Sequence, residues 1–357
     1  MKRVLLFIFL LLISILVGIT SPSISSSAEN KYVISTIFIP PKNIGEIYSL
    51  AYSVSNPQSP LYHHFLNYAE IQKFFNTYKY ENMINYLRSN NIQIVGTALD
   101  SIIVINASIL QLEELLNTTV SFDEYNNFTY YQGIGTFEGN LVIASNFTSA
   151  ILNKPTDLVT PNLISQMENK AITLNFTYAD ESYPVTELLK AYNATVLNAT
   201  GKGYTIGILD FYGDPSIVQQ LAYFDKIYHI PPPPSFNIEY IGQPCPFYGI
   251  LTGWNLEISL DVEVSHAAAP GANIILYVAN PNVPLPYILA KIVQEDKVNV
   301  LSQSWGIPES EIVDNPSNLL TVYEANLYYA LGSLEGITFL ASTGDTGGSG
   351  YSTSPIG

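Results

Sequence analysis

Glu257 and Asp261 stand four residues apart in "LEISLDVEVSHAAAPGA". On a helix that spacing puts both carboxylates on one face, one turn apart. Like charges held that close keep at least one group protonated over a widened pH range. Such a coupled pair can serve as a general base in acid, where a histidine is permanently protonated. The ordinary alternative is a solvated helix face, but the segment is otherwise short of charge and closes on Ala-Ala-Ala-Pro-Gly, the mark of a tightly packed turn. A third carboxylate, Asp345, follows an apolar run in "FLASTGDTGGSG", where Gly344, Gly347 and Gly348 permit close backbone approach. It can cap a turn, bind a cation or, when protonated, donate to a developing oxyanion. Asp210 ends the run "TIGILD" and Trp305 lies in "LSQSWG", with a loop cap and a packed core Trp as the ordinary readings.

The elements around these residues set where they can meet. "GYTIGILDF", "ANIILYVA", "VNVLSQSW" and "GITFLAST" are near-continuous apolar strands, separated by the helical segments "PSIVQQLAYFDKIY", "NLEISLDVEVSHAAA", "LPYILAKIVQ" and "NLLTVYEANLYYALGSL". Buried strands alternating with helices predict a doubly wound α/β domain with a parallel sheet over 184–357. In such sheets an active site lies at the carboxyl ends of the strands, where Asp210, Trp305 and Asp345 fall. From Tyr32 to about Val142 the pattern is βαα-ββ-α, which predicts a separate α+β domain within 30–147. Residues 148–183, rich in Asn and Thr with Pro155 and Pro161, read as an exposed linker open to processing.

Composition excludes several functions. The net charge is −16 and the pI near 4.5, against nucleic acid or an anionic membrane as partner. One cysteine, Cys245, rules out an internal disulfide and a Cys-based metal cluster, and with four histidines the motif His-Glu-x-x-His is absent. Charged residues are only 12% while Tyr numbers 26, so much surface polarity comes from neutral hydroxyls that acid does not alter. Lys2 and Arg3, the apolar run Val4 to Ile19 and the small residues up to Ala28 have the order of a secretory signal over 1–28, with an uncleaved anchor as the alternative. Sequons at Asn106, Asn117, Asn127, Asn146, Asn175, Asn193 and Asn198 fit a secreted, extracellular protein.

Taken in order, "LLKAYNATVLNATGKGYTIGILDFYGDPSIVQQLAYFD", "EISLDVEVSHAAAPGANI", "VLSQSWG" and "GITFLASTGDTGGSG" resemble the catalytic domain of the sedolisins, the serine-carboxyl peptidases, in its kumamolisin-like form. "VSNPQSPLYHHFLNYAEIQKFF" is similar to that family's activation prodomain. The resemblance implies an α+β prodomain followed by an incomplete subtilisin-like α/β domain, in a zymogen that cuts protein or peptide substrates in acid. It implies Glu257 as general base, Asp261 as the carboxylate that orients it and Asp345 as the protonated oxyanion-hole donor, with Asp210 and Trp305 flanking the acid network. Family members carry their nucleophile in a later Gly-Thr-Ser segment, followed by a calcium loop. Neither is found up to Gly357, so the expectation is that nucleophile and calcium site both lie outside this chain, which then does not hydrolyse peptides alone.

A subtilisin-like reading with Asp210 and His266 lacks the Gly-Thr-His context, which leaves His266 as a core or capping residue. The alternative of another class is a non-catalytic secreted pseudo-peptidase, or a prodomain-type inhibitor. The expected partners are protein or peptide substrates and the intramolecular prodomain, with no membrane once the signal is removed. The prodomain is expected to cover the cleft at neutral pH and to loosen as acid protonates interface carboxylates.

Overall fold

The computed structural model describes residues 32–117, 119–125, 128–145, 185–197, 199–306, 312 and 316–344. The expected signal (1–28), the linker (148–183) and Asp345 fall outside the described residues, apart from part of the expected domain edges.

The first domain holds strands β1 (Tyr32–Phe38), β2 (Gln93–Ala98), β3 (Ile102–Ser108), β4 (Ser121–Tyr125), β5 (Phe128–Phe137) and β6 (Asn140–Ser145). Its helices are α1 (Ile44–Ser55), α2 (Tyr68–Ile71), α3 (Thr77–Ser89) and α4 (Ile109–Leu116). The strands form one antiparallel sheet in the order β2-β3-β1-β6-β5-β4. Both faces of its centre are covered. Ile37, Ile103 and Val142 join a core with Met83, Leu87, Leu112 and Leu115 of α3 and α4, while Phe38 and Ile102 turn to the other face, where α1 brings Ile47, Ala51 and Val54. This explains why β1 and β3 read as continuous apolar runs rather than alternating ones.

The expected βαα-ββ-α order stops short of β4, β5 and β6. Their strand signal is masked by Gly133 and Gly135 in β5, and their turn is Glu138-Gly139 rather than Asn-Gly. Both turn residues have positive φ, 48° and 75°, which is what a two-residue hairpin needs. Gly135 is required because a Cβ there would run into the Leu116 backbone at the end of α4.

The second domain holds α5 (Val185–Ala191), β7 (Thr205–Phe211), α6 (Ile217–Tyr228), β8 (Phe236–Ile241), α7 (Pro246–Thr252), α8 (Trp254–Ala268), β9 (Asn273–Ala279), α9 (Leu285–Glu295), β10 (Val300–Gln303), α10 (Pro316–Glu335) and β11 (Thr338–Ala341). Its strands run parallel in the order β11-β10-β7-β9-β8. This is the doubly wound α/β sheet that the alternation predicts; β8 is additional, missed because its residues are half polar and follow the proline run. Ile208, Ile274 and Leu276 meet Ile217 and Leu221 of α6 and Ile258 and Val262 of α8 on one face. Leu209 and Tyr277 meet Leu289, Ile292, Leu331 and Leu334 of α9 and α10 on the other. Among the described residues no helix is long and apolar enough to cross a membrane.

The first domain is seated on α9 and α10, on the sheet face opposite α8. The Leu66 amide donates to the Leu334 carbonyl at 2.7 Å and the Leu99 amide to Gln294 Oε1 at 2.9 Å. The Ser101 and Tyr328 hydroxyls are 3.1 Å apart, and Phe65 lies where Gly336 has no Cβ. Glu324 sits on α10 beside Tyr323 and one turn before Tyr328, fully buried, with neither carboxyl oxygen hydrogen-bonded. Burial holds its carboxyl well above the usual range, and burial followed by the charge of Asp296 pushes Glu335 up to about 8. Carboxyls raised by burial in this way favour the protonated state of the folded chain.

Candidate active site

Helix α8 carries Glu257 and Asp261 for the reason its sequence suggests. Ile258 and Val262 are fully buried against the sheet, which leaves the next positions round the helix, 257 and 261, at the edge of the buried face. Gly253, at φ 83°, ends α7 and opens α8 in the left-handed region favoured by glycine, which lets the chain turn sharply between them. Glu257 lies in the first turn of α8, where the helix dipole favours a negative charge.

Asp261 reaches the end of the sheet. Its Oδ1 accepts from the Ser304 hydroxyl at 2.9 Å, and Ser304 is the residue following β10. Burial raises the Asp261 carboxyl, and the Ser304 hydrogen bond offsets part of that rise. Asp210, the penultimate residue of β7, is 0% exposed, and neither of its oxygens has a hydrogen-bond partner. Burial first, then Asp261, then Glu257 hold its carboxyl well above the usual range. Asp210 therefore feels both helix carboxylates, and the three form one electrostatic group at the carboxyl ends of β7 and β10. The strand order reverses between these two strands, the switch point where parallel sheets bind ligands.

Trp305 closes the site from the sheet side. Its indole Nε1 donates to the Leu209 carbonyl at 3.0 Å, and its ring meets Phe211 edge-on at 5.7 Å. Trp254, at the start of α8, meets the same Phe211 edge-on at 5.3 Å. Two aromatic walls thus clamp the end of β7 that presents Asp210.

Of the residues that sequence reasoning singled out, Glu257, Asp261 and Asp210 share one electrostatic group, and Trp305 packs beside the end of β7. Sequence reasoning missed Ser304, the donor that fixes Asp261. A serine in an apolar strand has no signal of its own, although its position at a strand end beside Trp305 was visible. Asp345 lies outside the described residues. His266 is fully buried near the end of α8, with Nε2 3.0 Å from the Pro231 carbonyl and 3.2 Å from Asp225, so it turns towards α6.

Chemically, the arrangement can hold protons and pass them among carboxylates. Asp210 is raised by burial and by both helix carboxyls, Asp261 is bonded to Ser304, and Glu257 lies one helix turn from Asp261. The described residues contain no group of three or more His, Cys, Asp or Glu side chains that could hold a metal ion.

Residues 23–144 match the family described as Pro-kumamolisin, activation domain. Kumamolisin of Bacillus sp. (strain MN-32) is 28% identical over 173 residues, covering 47% of this chain and 30% of that protein. The chain thus spans about a third of the length of this curated relative. A solved structure of Pseudomonas sedolisin, a serine-carboxyl proteinase complexed with two molecules of pseudo-iodotyrostatin, matches at 22% identity and a TM-score of 0.39, covering 46% of this chain and 45% of that one. The chain is thus similar to kumamolisin and matches the pro-kumamolisin activation domain over residues 23–144, ahead of a parallel α/β domain.

Proposed function

We propose that this chain is the prodomain and base-bearing part of a secreted zymogen of an acid serine-carboxyl endopeptidase. The observation that supports it best is the group formed by Glu257, Asp261 and Asp210, with Asp261 hydrogen-bonded to Ser304 at the switch point of the sheet. In this reading Glu257 takes the proton from a serine hydroxyl as that oxygen attacks the peptide carbonyl. Asp261 holds Glu257 in place and shares its proton. Asp345 in its protonated form donates to the oxyanion, which restricts the enzyme to acid. The proton taken by Glu257 then passes to the leaving amine, and water hydrolyses the acyl-enzyme by the same base. The reading requires a serine hydroxyl presented to Glu257 as the nucleophile.

The test is hydrolysis of a denatured protein between pH 3 and 7 by the product of the reading frame continued past the Gly357 codon. We expect activity in acid and a loss of about 10²–10⁴-fold in kcat/KM for Glu257→Gln. Equal activity in parent and variant sinks the reading. No hydrolysis by a folded parent turns it towards a non-catalytic binder or a prodomain-type inhibitor.

A further inference from the structure

The sequons are motifs that the candidate active site does not absorb. Two of them lie wholly within the described residues, at Asn106 and at Asn193. They differ in what the fold leaves free. Asn106 stands in β3, where its side-chain amide donates to Gln93 Oε1 of β2 at 3.1 Å, and the Ser108 hydroxyl of the same sequon accepts from the Gln111 amide at the start of α4. Asn193 follows α5 and opens the single turn Ala194–Val196. Its backbone sits in the left-handed region at φ 54°, which asparagine tolerates better than most residues. The Asn193 amide donates to the Lys190 carbonyl at 2.9 Å, but its side chain makes no capping bond to the turn that follows. Asn193 and Thr195 are both exposed.

The surface around Asn193 is apolar. Tyr192 is 79% exposed, Val196 66% and Leu197 70%, and Leu188, one helix turn before Tyr192, is 44% exposed. Helix α5 packs against α8, whose Leu256 and Leu260, again one turn apart, are both more than half exposed. Apolar side chains exposed singly are ordinary. A run of large ones in one short segment marks a surface that meets something other than water. The sequon of Asn193 lies in the middle of that run, which favours a covering attached at this residue.

We propose that Asn193 accepts an N-linked oligosaccharide, which lies over Tyr192, Val196 and Leu197 and keeps this face from self-association. The donor is an oligosaccharide joined through its C1 carbon to a lipid phosphate or diphosphate and used by a membrane transferase of the export route. The Asn193 side-chain nitrogen attacks C1. The C–N glycosidic bond forms, the C–O bond to phosphate breaks, the lipid phosphate leaves with the bonding electron pair, and one amide proton passes to a base of the transferase. No oxidant or reductant enters. Thr195, two residues on, supplies the hydroxyl that the acceptor motif requires. Once attached, the sugar hydroxyls hydrate the surface, and the C–H faces of the sugar rings suit the electron-rich face of the Tyr192 ring.

The proposal rests on export of the chain, as in the reading above, and not on its peptidase chemistry. The experiment is expression of the full chain in a yeast, in one form with its own residues 1–28 and in another behind a secretory signal of the host. Peptides containing Asn193 are mapped by mass spectrometry after enzymatic removal of glycans in heavy-oxygen water, which marks each formerly occupied asparagine as a labelled aspartate. We expect occupancy of Asn193 in both forms. Thr195→Ala is expected to abolish it and to increase self-association in light scattering, with the melting temperature kept. That substitution removes the acceptor motif and leaves the left-handed asparagine in place, so a purely structural role of Asn193 does not move the result. A folded, exported chain with Asn193 unmodified overturns the proposal. So does a Thr195→Ala variant that scatters light no more than the parent. Occupancy in the second form with no export of the first contradicts the secreted reading and sustains the acceptor site.

Discussion

Asp210 is the residue whose chemistry depends most on its neighbours. In sequence it is one carboxylate at the end of an apolar strand. In the fold it is fully buried, unpartnered and opposed by two like charges. Its folded-state carboxyl is raised, so stability tied to it is present in acid and falls as pH rises beyond the ordinary Asp range. Asp210→Asn removes the charge while keeping the shape. We expect the variant to match the parent in melting temperature near pH 4 and to exceed it at pH 8, by calorimetry at both values. A parent advantage at pH 8 contradicts the protonated assignment. Glu257 and Asp261 were legible because a spacing of four is a helix-face signature. Ser304 was not, because a hydrogen bond between residues 43 positions apart leaves no local trace.

Among the elements, the parallel strands β7, β9, β10 and β11 and the helices between them were legible, since burial on both faces writes long apolar runs. β4, β5 and β6 were not, because their glycines answer to a contact rather than to strand preference. Gly135 faces the Leu116 backbone, which cannot move aside as a side-chain tip can. Gly135→Ala is therefore expected to destabilise the first domain by roughly 1–3 kcal/mol, the usual cost of overpacking. Urea unfolding of the full chain measures it. The companion substitution Gly139→Ala, at a position open to space, tests the positive φ alone. A loss in Gly135→Ala no larger than that in Gly139→Ala contradicts the crossing with α4 as its cause.

For the whole molecule, the first domain is held by buried contacts with α9 and α10, and α10 also carries Glu324, fully buried with neither carboxyl oxygen hydrogen-bonded. Burial holds its carboxyl above the usual range, so stability tied to it is present in acid and falls as pH rises beyond the ordinary Glu range. Hydrogen exchange, corrected for intrinsic rates, is expected to show stronger protection of α1 and α10 at pH 5 than at pH 8. Glu324→Gln should level the two. Protection that rises with pH in the parent restores the opposite sign.

The sequence by itself determined the two-domain order, the parallel sheet of the second domain and the helix face shared by Glu257 and Asp261, all of which are written in periodicities of two to four residues. Tertiary structure alone decided that Asp210 lies in the field of that pair, that Ser304 holds Asp261, and that Glu324 is buried with neither oxygen hydrogen-bonded. These depend on desolvation and on contacts between residues far apart in the chain, and neither quantity exists until the chain has closed on itself.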